Sequence, residues 1–300
     1  MDLPSNVMRG RTVLVTGGTG GIGKETARAL ARLGAEVVVV GRDAARGQAA
    51  VNELRTSTGT TSVHLLTADL SSLAEVRRLA AAYQERFDKL HVLVNNVAGI
   101  FRRRTETVDG LEATFAVGHL APFLLTQLLL PTLKNSAPAR IINVSSDGHS
   151  MATLNFDDLQ ARRFYRGVDV YTRVKLANLL FTYELARQLD GSDITVNAVD
   201  PGGAHTRLTD STTSDMLPPM MKVLWPLVSR FAFTSVEKAA ESSIFAAAAP
   251  ELTSVSGVYI NTKLQQAKSS KASYDREAAR HLWQISNELT ALPVSKKLAV

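Results

Sequence analysis

The sequence predicts a single-domain α/β fold of the Rossmann type, a doubly wound parallel sheet with helices on both faces. Three observations carry that prediction. Strand-like apolar runs alternate with helical patterns along almost all of the 300 residues. A glycine-rich turn joins the first run to the first helix. Polar residues follow the carboxyl ends of the strands, where sheets of this kind bind ligands.

The elements come in order. Thr12-Val13-Leu14-Val15-Thr16 is a β-rich run, and Lys24 to Leu33 carries Ala27, Leu30, Ala31 and Leu33 at helical spacing. Gly34 stops that helix, and Glu36 to Val40 reads as a strand buried on both faces. Asp43 caps the next helix, which runs through Ala49 to Leu54. A strand over Ser62 to Leu66, a helix from about Leu73 to Phe87 and a strand over Leu90 to Val94 follow. The long helix over roughly 110–133 contains Pro122 and is expected to kink there. Then come strands at Ala139 to Val144 and Ile194 to Val199 with a helix from Tyr171 to about Leu189 between them. A helix near Val236 to Ala249 and a strand at Val258 to Ile260 complete the pattern. No repeat or linker divides the chain, so residues 1–300 read as one domain.

Composition narrows the function. Hydrophobic residues make up 45% of the chain, as in ordinary globular proteins. There are no cysteines, which excludes disulfides and thiolate metal sites and suits a reducing, cytoplasmic setting. No metal is expected. Residues 1–10 lack the apolar core of a secretory signal, and no apolar run reaches the length of a membrane span. The net charge of +6 favours anions, and an anionic cofactor meets that preference. Arg102-Arg103-Arg104 lacks interleaved aromatics, so nucleic acid is not expected; it reads as a solvated loop or as a face toward an acidic substrate.

Two phosphate-binding patterns compete at the glycines. Gly18-Thr19-Gly20-Gly21-Ile22-Gly23 satisfies G-x-G-x-x-G, while Gly18 to Lys24 nearly satisfies the P-loop. A P-loop needs a hydroxyl after its lysine to hold magnesium, and Glu25 stands there instead, so the dinucleotide reading prevails. A turn of this kind brings a pyrophosphate to a helix N-terminus. After the second strand, Gly41 is followed by Arg42, which suits the 2′-phosphate of NADP better than the ribose hydroxyl of NAD.

Tyr171 and Lys175 are four residues apart, one helical turn on the same face. An ammonium near a phenol favours the phenolate and lowers the pKa from about 10. Such a phenol can act as acid or base toward a carbonyl or an alcohol.

With these residues in place the chain resembles the short-chain dehydrogenase/reductase family, in particular the branch of retinol dehydrogenases and WW-domain oxidoreductases. The resemblance rests on Thr16-Gly17-x-x-x-Gly21-Ile22-Gly23, Asp69-Leu70, Asn95-Asn96, Val144-Ser145-Ser146, Tyr171-x-x-x-Lys175 and Pro201-Gly202 with Thr206. It implies Tyr171 as the acid/base, Ser146 orienting the substrate oxygen, and Lys175 lowering the Tyr171 pKa and holding the nicotinamide ribose. Around the cofactor it implies Gly17, Thr19, Gly20, Gly21 and Ile22 at the pyrophosphate, Asp69 and Leu70 beside adenine, and Asn95 along the cofactor. Pro201, Gly202 and Thr206 belong to the nicotinamide side.

The resemblance also implies a variable substrate lid at 204–235, a C-terminal extension at 262–300 and a homodimer through the apolar helices around Phe123 to Leu130 and Leu176 to Leu185. The apolar, proline-broken Met216 to Val228 suggests a hydrophobic carbonyl or alcohol substrate; packing against the core or another subunit is the competing explanation. Three departures stand out. Gly118 replaces the usual asparagine of the proton relay, Asn95-Asn96-Val97-Ala98-Gly99 is one residue longer than usual, and Val174 replaces a serine. Gly118 keeps open an alternative, a cofactor-binding member with weakened or lost redox activity acting as a scaffold or sensor, or in non-redox chemistry.

Overall fold

The computed structural model describes residues 3–204 and 233–291. Within them an eight-stranded sheet has the order β10-β9-β6-β5-β4-β1-β2-β3. Its strands are β1 (Thr12–Thr16), β2 (Glu36–Gly41), β3 (Val63–Thr67), β4 (Val92–Asn95), β5 (Ala139–Val144), β6 (Ile194–Val199), β9 (Tyr259–Ile260) and β10 (Gln266–Ala267). All pairings are parallel except that of β10 with β9. A separate parallel pair, β7 (Gly203–Ala204) with β8 (Phe233–Thr234), joins the two ends of the expected lid segment. Thr206 and Met216 to Val228 lie outside the described residues.

Alternation along the strands divides the core. Val13, Val15, Val37 and Val39 pack on one face with Ala27, Leu30 and Ile244. Leu14, Val38 and Val40 pack on the other with Leu79, Phe123 and Leu185. The first layer is built by α1 (Gly21–Arg32), α2 (Ala44–Thr58) and α6 (Val236–Ala248), the second by α3 (Leu73–Arg86), α4 (Ala113–Lys134) and α5 (Gly167–Gln188). A strand covered on both sides needs apolar residues at every position, which is why β2 reads as an unbroken valine run.

Two elements differ from expectation. The irregularity foreseen at Pro122 is a π turn over Ala116–Leu120, just before the proline, where Ala121 N–H reaches back to the Ala116 carbonyl. Proline cannot donate to a helix carbonyl, and the wider turn is the local adjustment. Glu112 starts α4 by accepting from Thr114 N at 2.9 Å and Phe115 N at 2.7 Å. This helix also corrects the statement about membrane spans. Ala113–Lys134 has 22 residues and a mean hydropathy of 1.5 over its most apolar window, long and apolar enough to cross a bilayer. Here 83% of that window is buried within the protein.

The second difference is α7 (Arg276–Leu289), capped by Asp275, which accepts from Glu277 N and Ala278 N. Its Leu282 and Ala279 pack with Val174, Leu176 and Leu180 of α5. Trp283 meets Phe123 edge-on at 5.0 Å. The apolar arc behind the homodimer expectation is therefore covered by the chain's own helix.

Candidate active site

The strand order reverses between β1 and β4, so their carboxyl ends leave a crevice between them. Asn96 ties the two ends together: its N–H donates to Thr16 Oγ1 at 3.0 Å and its Nδ2 to the Thr16 carbonyl at 2.9 Å. Val97 N–H donates to the same hydroxyl at 3.2 Å. The longer Asn-Asn-Val-Ala-Gly stretch thus keeps its strap to β1.

The glycine turn fits a dinucleotide. Gly17 and Gly21 have φ of +66° and +52°, the left-handed region that glycine enters without strain. A Cβ at Gly17 would stand 3.0 Å from Asn96 Nδ2, whereas one at Gly20 would meet nothing within 4 Å. Gly20 begins α1 with no side-chain cap and no carboxylate in the first turn, so the free N–H groups there suit an anion. Lys24 points elsewhere, pairing with Glu53 at 2.8 Å, so it does not play a P-loop lysine's part. Thr19 lies against the end of β2, where a Cβ on Gly41 would be 2.6 Å from Thr19 Cγ2. Arg42 is exposed beside that contact. Asp43 caps α2 as expected, accepting from Arg46 N at 2.9 Å.

Other expected cofactor residues divide into rim and core. Asp69 is exposed after β3 and accepts from Ser71 N and Oγ. Leu70 is packed with Val76 and Leu79, leaving its backbone at the rim. The Asn95 side chain turns inward, donating to Thr126 Oγ1 at 3.0 Å and to Asn143 Oδ1 at 2.9 Å. An amide buried this deeply spends its donors inside the sheet, so any part Asn95 plays along the cofactor falls to its backbone at the end of β4. Ile22 is half-buried at the start of α1. Pro201 and Gly202 follow β6, Gly202 at φ +71°.

Ser146, Tyr171 and Lys175 come together at the ends of β5 and α5. Ser145 Oγ donates to the Lys175 carbonyl at 2.9 Å, and Lys175 Nζ donates to the Val144 carbonyl at 2.8 Å. These bonds seat α5 on the end of β5. Ser146 and Tyr171 are both half-buried, and the Ser146 hydroxyl is near enough to act on the phenol. The Lys175 ammonium lies over the Tyr171 ring, 5.3 Å from its centroid.

The pKa expectation is corrected. Burial pushes the Tyr171 phenol up to about 12 and the Asp200 carboxylate pushes the same way, with only the Ser146 hydroxyl opposing. Burial draws Lys175 down to about 8 while Asp200 opposes the fall. Desolvation disfavours both charged forms and is the largest cause of each shift. Asp200 was invisible as a site residue in sequence. Its only signal is an acid directly after a fully buried strand.

His149 is 1% exposed and engaged at both ring nitrogens. Nδ1–H donates to the Ser146 carbonyl at 2.7 Å, and Nε2 accepts from Ser270 N at 3.0 Å. It is a loop-holding histidine. Gly118 and Val174 prove to be one feature, since a Cβ at Gly118 would lie 2.6 Å from Val174 Cγ1. Two cavities of about 190 and 260 Å³ open at the opposite end of the sheet, near Arg140 and near Asp193. The Arg140 guanidinium is already bound to the Ala246 and Ala249 carbonyls.

Comparison with known proteins agrees with this geometry. Residues 11–217 match the short chain dehydrogenase family. The chain belongs to that family. It falls in the retinol dehydrogenase branch: it is 40% identical to mouse retinol dehydrogenase 12 over 94% of this chain and 87% of that protein. It is 43% identical to human retinol dehydrogenase 13, covering 94% of this chain and 85% of the relative. Among solved structures, an uncharacterized protein from Mycobacterium paratuberculosis superposes with a TM-score of 0.77 at 32% identity, over 98% of both chains. The RhlG/NADP active-site complex of Pseudomonas aeruginosa does so with 0.69 at 28% identity, over 91% of this chain and all of that one. This short-chain dehydrogenase is thus a member of a family of nicotinamide-dependent oxidoreductases.

Proposed function

We propose that the protein interconverts a hydrophobic carbonyl compound and its alcohol with NADP, Tyr171 acting as acid/base. The observation that carries this reading is the Ser146–Tyr171–Lys175 cluster at the crevice that the glycine turn opens. NADPH, when bound, supplies the hydride. Gly17, Thr19, Gly20, Gly21 and Ile22 would hold its pyrophosphate and Arg42 its 2′-phosphate; NAD is the less favoured partner.

Ser146 and Tyr171 orient the substrate oxygen by hydrogen bonds. As negative charge grows on that oxygen, the Tyr171 O–H bond breaks and its proton passes to it. Lys175, a cation over the ring, steadies the phenolate left behind. Solvent then reprotonates Tyr171. A phenol with a pKa of about 12 stays protonated through neutral pH, so reduction has no acid-base limb from Tyr171 there. Alcohol oxidation needs the phenolate and should climb with pH.

An apolar substrate is supported by the composition of Met216 to Val228 and by relatives named for retinol. A cytoplasmic location is compatible with the cysteine-free composition. Gly118 favours a second reading, weakened redox activity in a cofactor-binding protein. One experiment separates them: purified protein is given NADPH and a panel of hydrophobic aldehydes and ketones. The first reading expects turnover with at least one, and a fall of roughly 10²–10⁴-fold in Tyr171→Phe. Normal NADPH binding with no turnover across the panel would leave only the second.

A further inference from the structure

We propose that Asp200 is a positioning residue of the active centre, whose buried carboxylate beside the Tyr171–Lys175 pair keeps Lys175 as the ammonium and Tyr171 as the phenol, so that the resting centre stands ready to give a proton. The inference rests on the acid/base role assigned to Tyr171.

Asp200 follows β6 and is 6% exposed. A carboxylate so placed costs free energy unless hydrogen bonds or a counter-charge offset it. Its backbone is fixed by donation from its N–H to the Ile260 carbonyl at 2.8 Å. Its Oδ1 accepts from Gly202 N at 2.9 Å, which opposes the upward push that burial exerts on its pKa. Among the described residues it joins no ion pair. The cation that interacts with it is Lys175, itself 1% exposed. Strand register explains their nearness: Val199 lies opposite Val144, whose carbonyl takes the Lys175 ammonium at 2.8 Å, and Asp200 is the next residue.

The groups that face this carboxylate come from three directions. Asp147 and His149 lie on the turn after β5, Tyr171 and Lys175 on α5, and Tyr259 on β9. Asp147 is exposed, and both His149 ring nitrogens are engaged. The Tyr259 hydroxyl is buried with no hydrogen-bond partner among the described residues. Lys175 is thus the single cation in this buried group, and the two phenols are both disfavoured as anions by the nearby carboxylate.

The test uses the full chain labelled at the tyrosine ¹³Cζ, six signals in all, with Tyr171→Phe assigning the one that matters. In the wild type the Tyr171 signal should not titrate below pH 11. In Asp200→Asn its midpoint should fall by about one pH unit or more, while Asp200→Glu retains the wild-type position. With NADPH or NADP and nonanal or nonanol as probes, the alkaline rise of alcohol oxidation should shift down in parallel. An unshifted Tyr171 signal in a folded Asp200→Asn protein overturns the proposal. Should that variant not fold, a wild-type Tyr171 midpoint near the ordinary value of about 10 overturns it equally. Absence of turnover in the wild type, with normal NADPH binding and a shifted Tyr171 signal in Asp200→Asn, instead defeats the oxidoreductase reading and leaves the influence of Asp200 on Tyr171 standing.

Discussion

At the residue scale, charge is managed mainly by burial. His119, wholly inside α4, shows this away from the reacting atoms. Ser286 Oγ already donates to the Leu282 carbonyl, so at 2.9 Å the His119 Nε2–H is the donor to Ser286. Burial lowers its pKa to about 4 from 6.5. The unfolded chain therefore binds this proton at a higher pH than the folded one. Stability from this group is complete above pH 6.5 and declines as pH falls toward 4, by on the order of 3 kcal/mol. Urea unfolding at pH 7 and pH 4.5 should show that slope in the wild type and a reduced one in His119→Asn. Arg42 offers a second residue-scale check. Replacing it with alanine should weaken NADPH by about tenfold or more and leave NADH nearly unchanged, as read by cofactor fluorescence titration. The motif residues Tyr171, Lys175 and Ser146 were legible because fixed spacing on a helix and at a strand end determines neighbours. Asp200 and the inward turn of Asn95 were not, because only the three-dimensional register of β4, β5 and β6 reveals them.

At the scale of elements, Gly118 and Val174 belong together. The π turn in α4 carries Gly118 against α5, and the Val174 methyl fills the space where a Cβ would stand. Gly118→Ala alone should cost about 1–3 kcal/mol through overpacking, and Val174→Ala in the same chain should recover most of it. Denaturant titration of the single and double variants measures the coupling. Restoring an asparagine at 118 likewise requires a smaller residue at 174 before its effect on turnover means anything. Sequence read these as two separate departures, since positions 56 residues apart give no local hint of contact. By contrast, β1, α1 and β2 were legible nearly to their ends, because a strand buried on both faces and a glycine turn leave little choice of structure.

At the scale of the whole molecule, α7 is what the sequence reading lacked. It lies in the stretch treated only as an extension, yet its Leu282, 1% exposed, closes the α4–α5 face. Leu282→Ala should cost roughly 2–5 kcal/mol, seen as a lower urea midpoint. The rest of the architecture places every proposed site residue that is described at the carboxyl rim of one sheet, with the glycine turn and the phenol on either side of the crevice. The most direct test is a crystal structure with NADP bound. The account predicts the pyrophosphate at the Gly17–Ile22 turn and the nicotinamide ring facing the Tyr171 hydroxyl. A rim left empty at saturating NADP, or a ring turned away from that hydroxyl, would contradict it.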